Sequence, residues 1–400
     1  MEIRSVTLFC DPDRSPMHFA DFLFAARHAF PVRVQSLRLA TIPFPEWLPF
    51  DEATDAARNF AGAWQAGGID YVSVGPARLV HDDSWLGLIP GLLVAGDGLF
   101  VSVEIATPDG HLDVQRCWNT ARLIRQVSAI MPDGFGNLFM GALAGCGPGH
   151  PFLPASYHAG GEPCFAIAVE SADVALEAIQ GAASLAEARE RLVRGIESAS
   201  AAILPEAMRL SVEFGIAFKG LDFSLAPYPT EDKSLGSALE ALGVSHSGAP
   251  GGLFAAAFIT EAIDRAQFPR TGFSGLMLPV LEDVTLARRA AAGELSLNDL
   301  LLYSAVCGVG LDTIPLPGDI DEATLAGILL DTAALSARLR KPLVARLMPL
   351  PGLQSGEPAR FSFEYFAPGG VMRIPGTGIA GLLKGQASLQ IDAYHHFHSV

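Results

Sequence analysis

The sequence predicts a single large α/β barrel of about ten strands. Three observations predict it. Apolar runs of strand length alternate with amphipathic helical segments through most of the 400 residues. Roughly eight to ten such units follow one another, more than an open sheet readily accommodates. No linker or internal repeat divides the chain, so residues 1–400 read as one barrel domain, with 353–400 as a less regular C-terminal extension.

The elements follow in order. EIRSVTLFC alternates as a strand, and Ser15-Pro16 then opens the helix HFADFLFAARHAF with an N-cap and a proline at the first helical position. VRVQSLRLATIPF is a second strand, and a helix from about Asp51 closes at Gly67-Gly68. IDYVSVGPA and GLFVSVEIAT are further strands; SWLGLIPGLLVAGDG, between them, reads equally as buried helix or strand, and a long helix covers about Val114 to Ile130. LFMGALAG and CFAIAVE are buried strands on either side of CGPGHPFLPASYHAGGEP, a loop with more Gly, Pro and His than a connector requires. Ser171 to Phe214 is helical with a break expected near Pro205, because proline removes a helix hydrogen bond. IAFKGLDFSLAPYP is a strand with its loop, and SLGSALEALG and GGLFAAAFITEAIDRAQ are helices. Strands are expected at Phe273 to Val280 and Val309 to Ile314, with helices between them. DEATLAGILLDTAALSARLR then places Leu325, Ile328, Leu329, Leu335 and Leu339 on one helical face before the strand PLVARLMPLP.

Composition narrows the function. Half of the residues are hydrophobic, 18% are charged and the net charge is -16, so no clustered Lys and Arg surface offers itself to nucleic acid or to an anionic membrane. Uncharged apolar stretches such as Leu300 to Leu311 fall short of the roughly 20 residues that cross a bilayer. The start MEIRSVTLFCDPD lacks the features of a signal peptide, so the cytoplasm is the expected location. Cys10, Cys117, Cys146, Cys164 and Cys307 are odd in number and contain no CxxC, which indicates neither a disulfide framework nor a zinc ribbon. There is no GxGxxG after the first strand, no Walker loop, no HExxH and no GxSxG.

The densest concentration of reactive groups is Gly272 to Asp319. GFSGLMLPVLED carries Ser274, Glu282 and Asp283 at its ends, and YSAVCGVGLD carries Cys307 and Asp312. Carboxylates at a strand's C-terminal end lie where α/β folds build active sites, so Glu282 and Asp283 are candidate bases or ligands of a divalent metal ion; the plain alternative is a helix start. Cys307 is a candidate nucleophile or simply a buried small side chain, and Asp312 a candidate orienting group or a turn cap. In GLDFSLAPYP, Asp222 and Ser224 point away from Leu221, Phe223 and Leu225; a carboxylate on that face needs a partner such as Arg346. His158 and Glu162 form an HxxxE spacing in a glycine-containing loop that serves acid/base or ligand chemistry, or is merely solvated, and the same plain account fits His150. SGAPGG at Ser247 to Gly252 is a capping turn more readily than an anion site, and the histidines of YHHFHSV suit adventitious metal affinity.

HPFLPASYHAGGE, EFGIAFKGLDFSLAPYP, GFSGLMLPVLED and VCGVGLDTIPLPGD, in that order, resemble the sequence blocks of the family called domain of unknown function 711. The resemblance covers most of the chain and is densest from His150 to Gly352. It implies a ten-stranded α/β barrel similar to that of pyruvate formate-lyase and other glycyl radical enzymes, in which Cys307 would correspond to a loop cysteine inside the barrel. No glycyl-radical motif such as RVxGY is present near the C-terminus, which argues against radical chemistry.

Two functions are therefore expected to compete. One is a cytoplasmic enzyme acting on a small polar or carboxylate-bearing metabolite. Catalysis would fall to Cys307, His158, Glu282 and Asp283, and binding to Asp222, Ser224, Ser274, Asp312, Arg346 and Glu162, with a divalent metal ion as an open option. The alternative is a non-catalytic small-molecule binding protein on the same barrel. The mean hydropathy of +0.32 adds an apolar surface suited to a homo-oligomer.

Overall fold

The computed structural model describes residues 1–394. Its strands are β1 (Glu2–Phe9), β2 (Leu37–Ala40), β3 (Tyr71–Ala77), β4 (Leu99–Ala106), β5 (His111–Asp113), β6 (Met140–Ala144), β7 (Cys164–Glu170), β8 (Ala217–Ala226), β9 (Gly310–Pro317), β10 (Leu343–Leu350), β11 (Pro358–Ala359), β12 (Gly369–Gly370) and β13 (Ser388–Gln390). The helices are α1 (Ala20–His28), α2 (Ala53–Ala66), α3 (Ile89–Leu93), α4 (Val114–Ser128), α5 (Ala172–Gln180), α6 (Leu185–Phe214), α7 (Leu235–Ala241), α8 (Gly252–Arg265), α9 (Val284–Ala291), α10 (Leu297–Ser304) and α11 (Glu322–Leu339). The fold is mixed α/β around one large sheet of order β8-β7-β1-β2-β3-β4-β6-β10-β9, with β5 and β13 attached beside β4.

The sheet has two directions. β1, β2, β3, β4 and β6 are parallel to one another. β7 and β10 flank them antiparallel, and each carries a parallel outer neighbour, β8 and β9. The ends of the second group thus meet the starts of the first. Between β8 and β9 runs 269–280, which is not the regular strand its apolar pattern predicts. It bonds β8 through Leu221 N–H to Pro269 O at 2.7 Å and Met277 N–H to Ser224 O at 2.9 Å, and bonds β9 through Val280 N–H to Asp312 O at 3.1 Å. Gly272 takes φ +64° here, and a Cβ on it would meet Asp222 Oδ2 at 2.1 Å, so the chain bends instead of extending.

Period-two alternation divides the sheet's faces. Val6, Leu8, Leu39, Val72, Val101, Ile167, Phe223 and Leu347 join the core shared with the helices. Ser5, Thr7, Ser73, Glu104, Asp222, Ser224 and Arg346 are buried polar groups of the other face. That inner face is filled by the Gly- and Pro-rich loop, which is buried from residue 150 to 158. Its carbonyls answer the sheet's hydroxyls: Ser5 Oγ donates to Pro151 O (3.3 Å) and Ser73 Oγ to Ser156 O (2.7 Å). Buried polar groups without such partners would be costly, which is why a polar inner face requires a loop with free carbonyls.

One open helical expectation is resolved and another changes. The segment from Ile89 is helix, α3, preceded by a 3-10 turn over Asp83–Leu88. The break expected at Pro205 is absent: α6 runs through it, with Ile203, Ala207 and Leu210 buried. Packing of α6 against α5 and α8 outweighs one missing hydrogen bond. The interruption comes earlier, before Ser184, whose hydroxyl accepts the Glu187 N–H and caps α6. In the last part of the chain, β13 pairs with β5, and β11 with β12. The histidines of the final YHHFHSV lie outside the described residues. Among the described residues no helix is long and apolar enough to cross a membrane.

Candidate functional site

A cavity of about 540 Å³ lies where β1 to β4 begin and the second strand group ends. Arg4, Arg38 and Arg346 line it with Glu282, together with Tyr71, Phe100, Phe139 and Phe152 and the strap 362–365. Arg38 reaches it by alternation between the core residues Leu37 and Leu39, and Arg4 because β1 bulges between Ile3 and Ser5, which takes it off the face of Val6 and Leu8. The same alternation brings Arg346 inward between Ala345 and Leu347.

Glu282 is 3% exposed and bridges two arginines. Its Oε1 accepts Arg346 Nη2 at 2.9 Å and its Oε2 accepts Arg4 Nη2. Arg346 also donates Nε to Asp312 Oδ1 at 2.6 Å and Nη1 to Leu138 O at 3.3 Å. Burial opposes ionisation of Glu282, yet Arg4 and Arg346 outweigh it and hold the carboxyl below its usual range. Asp312 goes the other way: burial, reinforced by the charge of Glu282, raises it despite Arg346. The two carboxyls are driven apart.

Arg38 is different. Its Nε donates to Ser36 Oγ at 2.9 Å and its guanidinium sits 5.9 Å from the Tyr71 ring centroid, but among the described residues it has no carboxylate partner. Burial, and then the neighbouring Arg4, lower it to about 10, still charged at neutral pH. Arg4, Arg33, Arg38 and Arg346 share the cavity wall with Glu282, Asp70 and Glu364; Arg27 takes Asp70 at 2.6 Å and Arg4 and Arg346 take Glu282, which leaves Arg38 with no carboxylate in hydrogen-bond contact.

The remaining predicted residues fall into separate groups. Asp222 does not pair with Arg346; its carboxylate accepts the Phe273 and Ser274 N–H groups at 3.0 Å each and the Ser224 hydroxyl, while Ser274 Oγ donates to Thr271 O at 2.9 Å. This cluster anchors the bend of 271–275. A void of about 10 Å³, less than one water's share of volume, lies between it and Arg4 and Arg38. Asp283 is saturated by structure: it accepts Ser234 Oγ and the N–H groups of Leu235, Gly236, Thr285 and Leu286, capping α9 and the start of α7. Of the adjacent pair, only Glu282 reaches the cavity.

His158, Glu162 and Cys307 are at the other end of the sheet. His158 N–H donates to Thr41 O just past β2, and its Nε2 is 3.7 Å from Asp11 Oδ1 just past β1, beyond hydrogen-bonding reach. Burial pushes the His158 imidazole below its ordinary value. Glu162 is exposed. Cys307 is 1% exposed and precedes β9 next to Gly308, whose backbone touches Gly275 so closely that a Cβ on Gly275 would be 2.2 Å from the Gly308 Cα. The structure brings Glu282, Asp312 and Arg346 together and leaves Cys307 and His158 apart from them. Among the described residues no three His, Cys, Asp or Glu side chains gather as a metal-ligating group. Sequence reasoning missed Arg4, Arg38 and the aromatic strap, although a lone arginine in an alternating apolar strand is the signal that marked Arg346.

A family model described as "Uncharacterised ACR (DUF711)" matches residues 18–362. The chain belongs to this family. Arg38, Glu282, Asp312 and Arg346 lie within the match; Arg4 and Tyr365 lie outside it. Among curated relatives, a UPF0210 protein of Desulforudis audaxviator is 30% identical over 325 residues, covering 76% of this chain and 71% of the relative. A UPF0210 protein of Carboxydothermus hydrogenoformans is 30% identical over 314 residues, 74% and 68% of the two chains. One from Pyrobaculum arsenaticum is 37% identical over 227 residues, 52% of this chain, so the match spans about half (48%) of that relative. These DUF711 relatives carry no stated activity in their names.

Proposed function

We propose that this DUF711 protein binds a small carboxylate-bearing metabolite in the arginine-lined cavity and acts on it there, in the cytoplasm. The observation that carries the reading is Arg38, a partly buried guanidinium on the cavity wall without a carboxylate of its own. A charge in that position favours an anion, and a guanidinium favours the planar, two-oxygen geometry of a carboxylate. Arg4 and Arg346, held by Glu282 and Asp312, add field without being free to pair. Glu282, held below its usual range by Arg4 and Arg346 and lining the cavity, is a candidate base, which supports an enzyme over a passive binder. We further propose that 269–280 stands in for a tenth strand between β8 and β9, closing two five-strand halves into a barrel around the filled inner face.

Calorimetric titration with acetate, succinate, citrate and inorganic phosphate tests the reading. Carboxylates should bind the wild type, with Arg38→Ala weakening them by about 30-fold, the loss of one charge-assisted pair. Unchanged affinity in Arg38→Ala would sink the assignment. For the catalytic part, Glu282→Gln should retain carboxylate binding but stop turnover of any metabolite that co-purifies with the wild type.

A further inference from the structure

The size and walls of the cavity carry the ligand class further. A volume of about 540 Å³ equals roughly 18 waters at about 30 Å³ each, far more than a two- to four-carbon acid fills. Beside Gln35, Asp70, Ser362 and Glu364, the surplus is bounded by rings. Tyr71, Phe100, Phe139, Phe135, Phe363 and Tyr365 form a continuous row with successive centroids 5.8, 5.0, 5.7, 5.1 and 5.3 Å apart. All but Phe135 line the cavity, and Tyr71, Phe139, Phe363 and Tyr365 keep part of their surface open. The row begins at the ring beside Arg38 and ends on the strap 362–365 that lines the cavity.

Such a wall discriminates. Ring faces are electron-rich, so a compact polyanion would set charge against them, whereas a second ring fits edge-to-face or offset among them. With Arg38 and this row of rings lining one cavity, we propose that the ligand is an aromatic carboxylate: its acid group on Arg38, its flat ring against the aromatic row. The proposal rests on the anion-binding reading above and adds the ring to it.

The test compares four probes by calorimetry on the full chain: benzoate, cyclohexanecarboxylate, acetate and benzyl alcohol. Benzoate should bind about five-fold tighter than cyclohexanecarboxylate, the worth of aromatic pairing beyond burial, and at least about ten-fold tighter than acetate. Benzyl alcohol should bind worst. Phe363→Leu, on the strap, should erase the preference for benzoate over cyclohexanecarboxylate and leave acetate unchanged, while Arg38→Ala should weaken all three acids. Equal binding of benzoate and cyclohexanecarboxylate, or of benzoate and acetate, overturns the aromatic assignment and leaves the anion reading standing. Benzyl alcohol binding as tightly as benzoate, indifferent to Arg38→Ala, overturns the anion reading itself. Absence of binding by every probe up to millimolar concentration overturns both. The four probes are compared on the wild type, so the ranking decides between these outcomes even where a variant fails to fold.

Discussion

Where β1 to β4 begin, three guanidinium groups surround Glu282, and one of them, Arg38, lines the cavity with no carboxylate hydrogen bond among the described residues. Past the other ends of β1 and β2 lie Asp11 and the buried His158, and Cys307 is buried just before β9; none of the three lines the arginine-rich cavity. The second set holds the more reactive residue types. The first holds the unspent interactions. A buried imidazole or thiol whose surroundings are closed has nothing to act on, whereas a charge exposed to a cavity retains most of the free energy that an incoming anion would release.

The sharpest way to break this contrast is at Glu282. Glu282→Ala removes the carboxylate shared by the half-buried Arg4 and the buried Arg346, which keeps only Asp312, and should destabilise the protein by about 3 kcal/mol in denaturant titration. A loss under about 1 kcal/mol would mean that water enters and the cluster is not closed. At the filled inner face, His150 tests the opposite condition. It is buried against Phe273 and pushed down to about 4 by desolvation, so it stays neutral when folded but charges near 6.5 when unfolded. Its contribution is intact above about pH 6.5 and is lost as pH falls toward 4, about 3 kcal/mol in all. His150→Phe should remove that slope relative to wild type; an unchanged difference between about pH 7 and about pH 4.5 would show that the loop admits solvent.

Smaller effects sharpen the comparison. Arg38→Ala should change stability by less than about 1 kcal/mol, since it deletes repulsion with Arg4 as well as one hydrogen bond, while losing the carboxylate-induced rise in Tm. A large loss of stability would make Arg38 a structural cation instead of a free one. His158→Gln should leave carboxylate affinity within about two-fold of wild type, because the residue lies past the far end of β2. Weakened binding would join the two ends into one site.

Much of the fold was legible from residue pattern. Alternation in EIRSVTLFC, GLDFSLAP and LVARLMP marks strands with one apolar and one polar face, and the apolar face of α11 marks a helix. The site was legible only in part. Arg346, Glu282 and Asp312 stand out because each is a charge within or beside an apolar run. Arg4 and Arg38 carry the same signature, but no carboxylate, thiol or imidazole lies beside them in sequence to distinguish a cavity wall from a solvated strand end.

The sequence by itself determined which side chains face inward, because a strand's period of two allows no choice once the apolar face is buried. What it did not determine was their company. Asp222 keeps the bend at Gly272, Asp283 caps two helices and Glu282, one residue away from it, joins Arg4 across 278 positions of chain. Those pairings depend on which strand ends the sheet order brings together, and on whether local N–H groups claim a carboxylate before a distant arginine can. The tertiary structure settles that competition, and among Arg4, Arg38 and Arg346 it leaves Arg38 as the one without a carboxylate hydrogen bond.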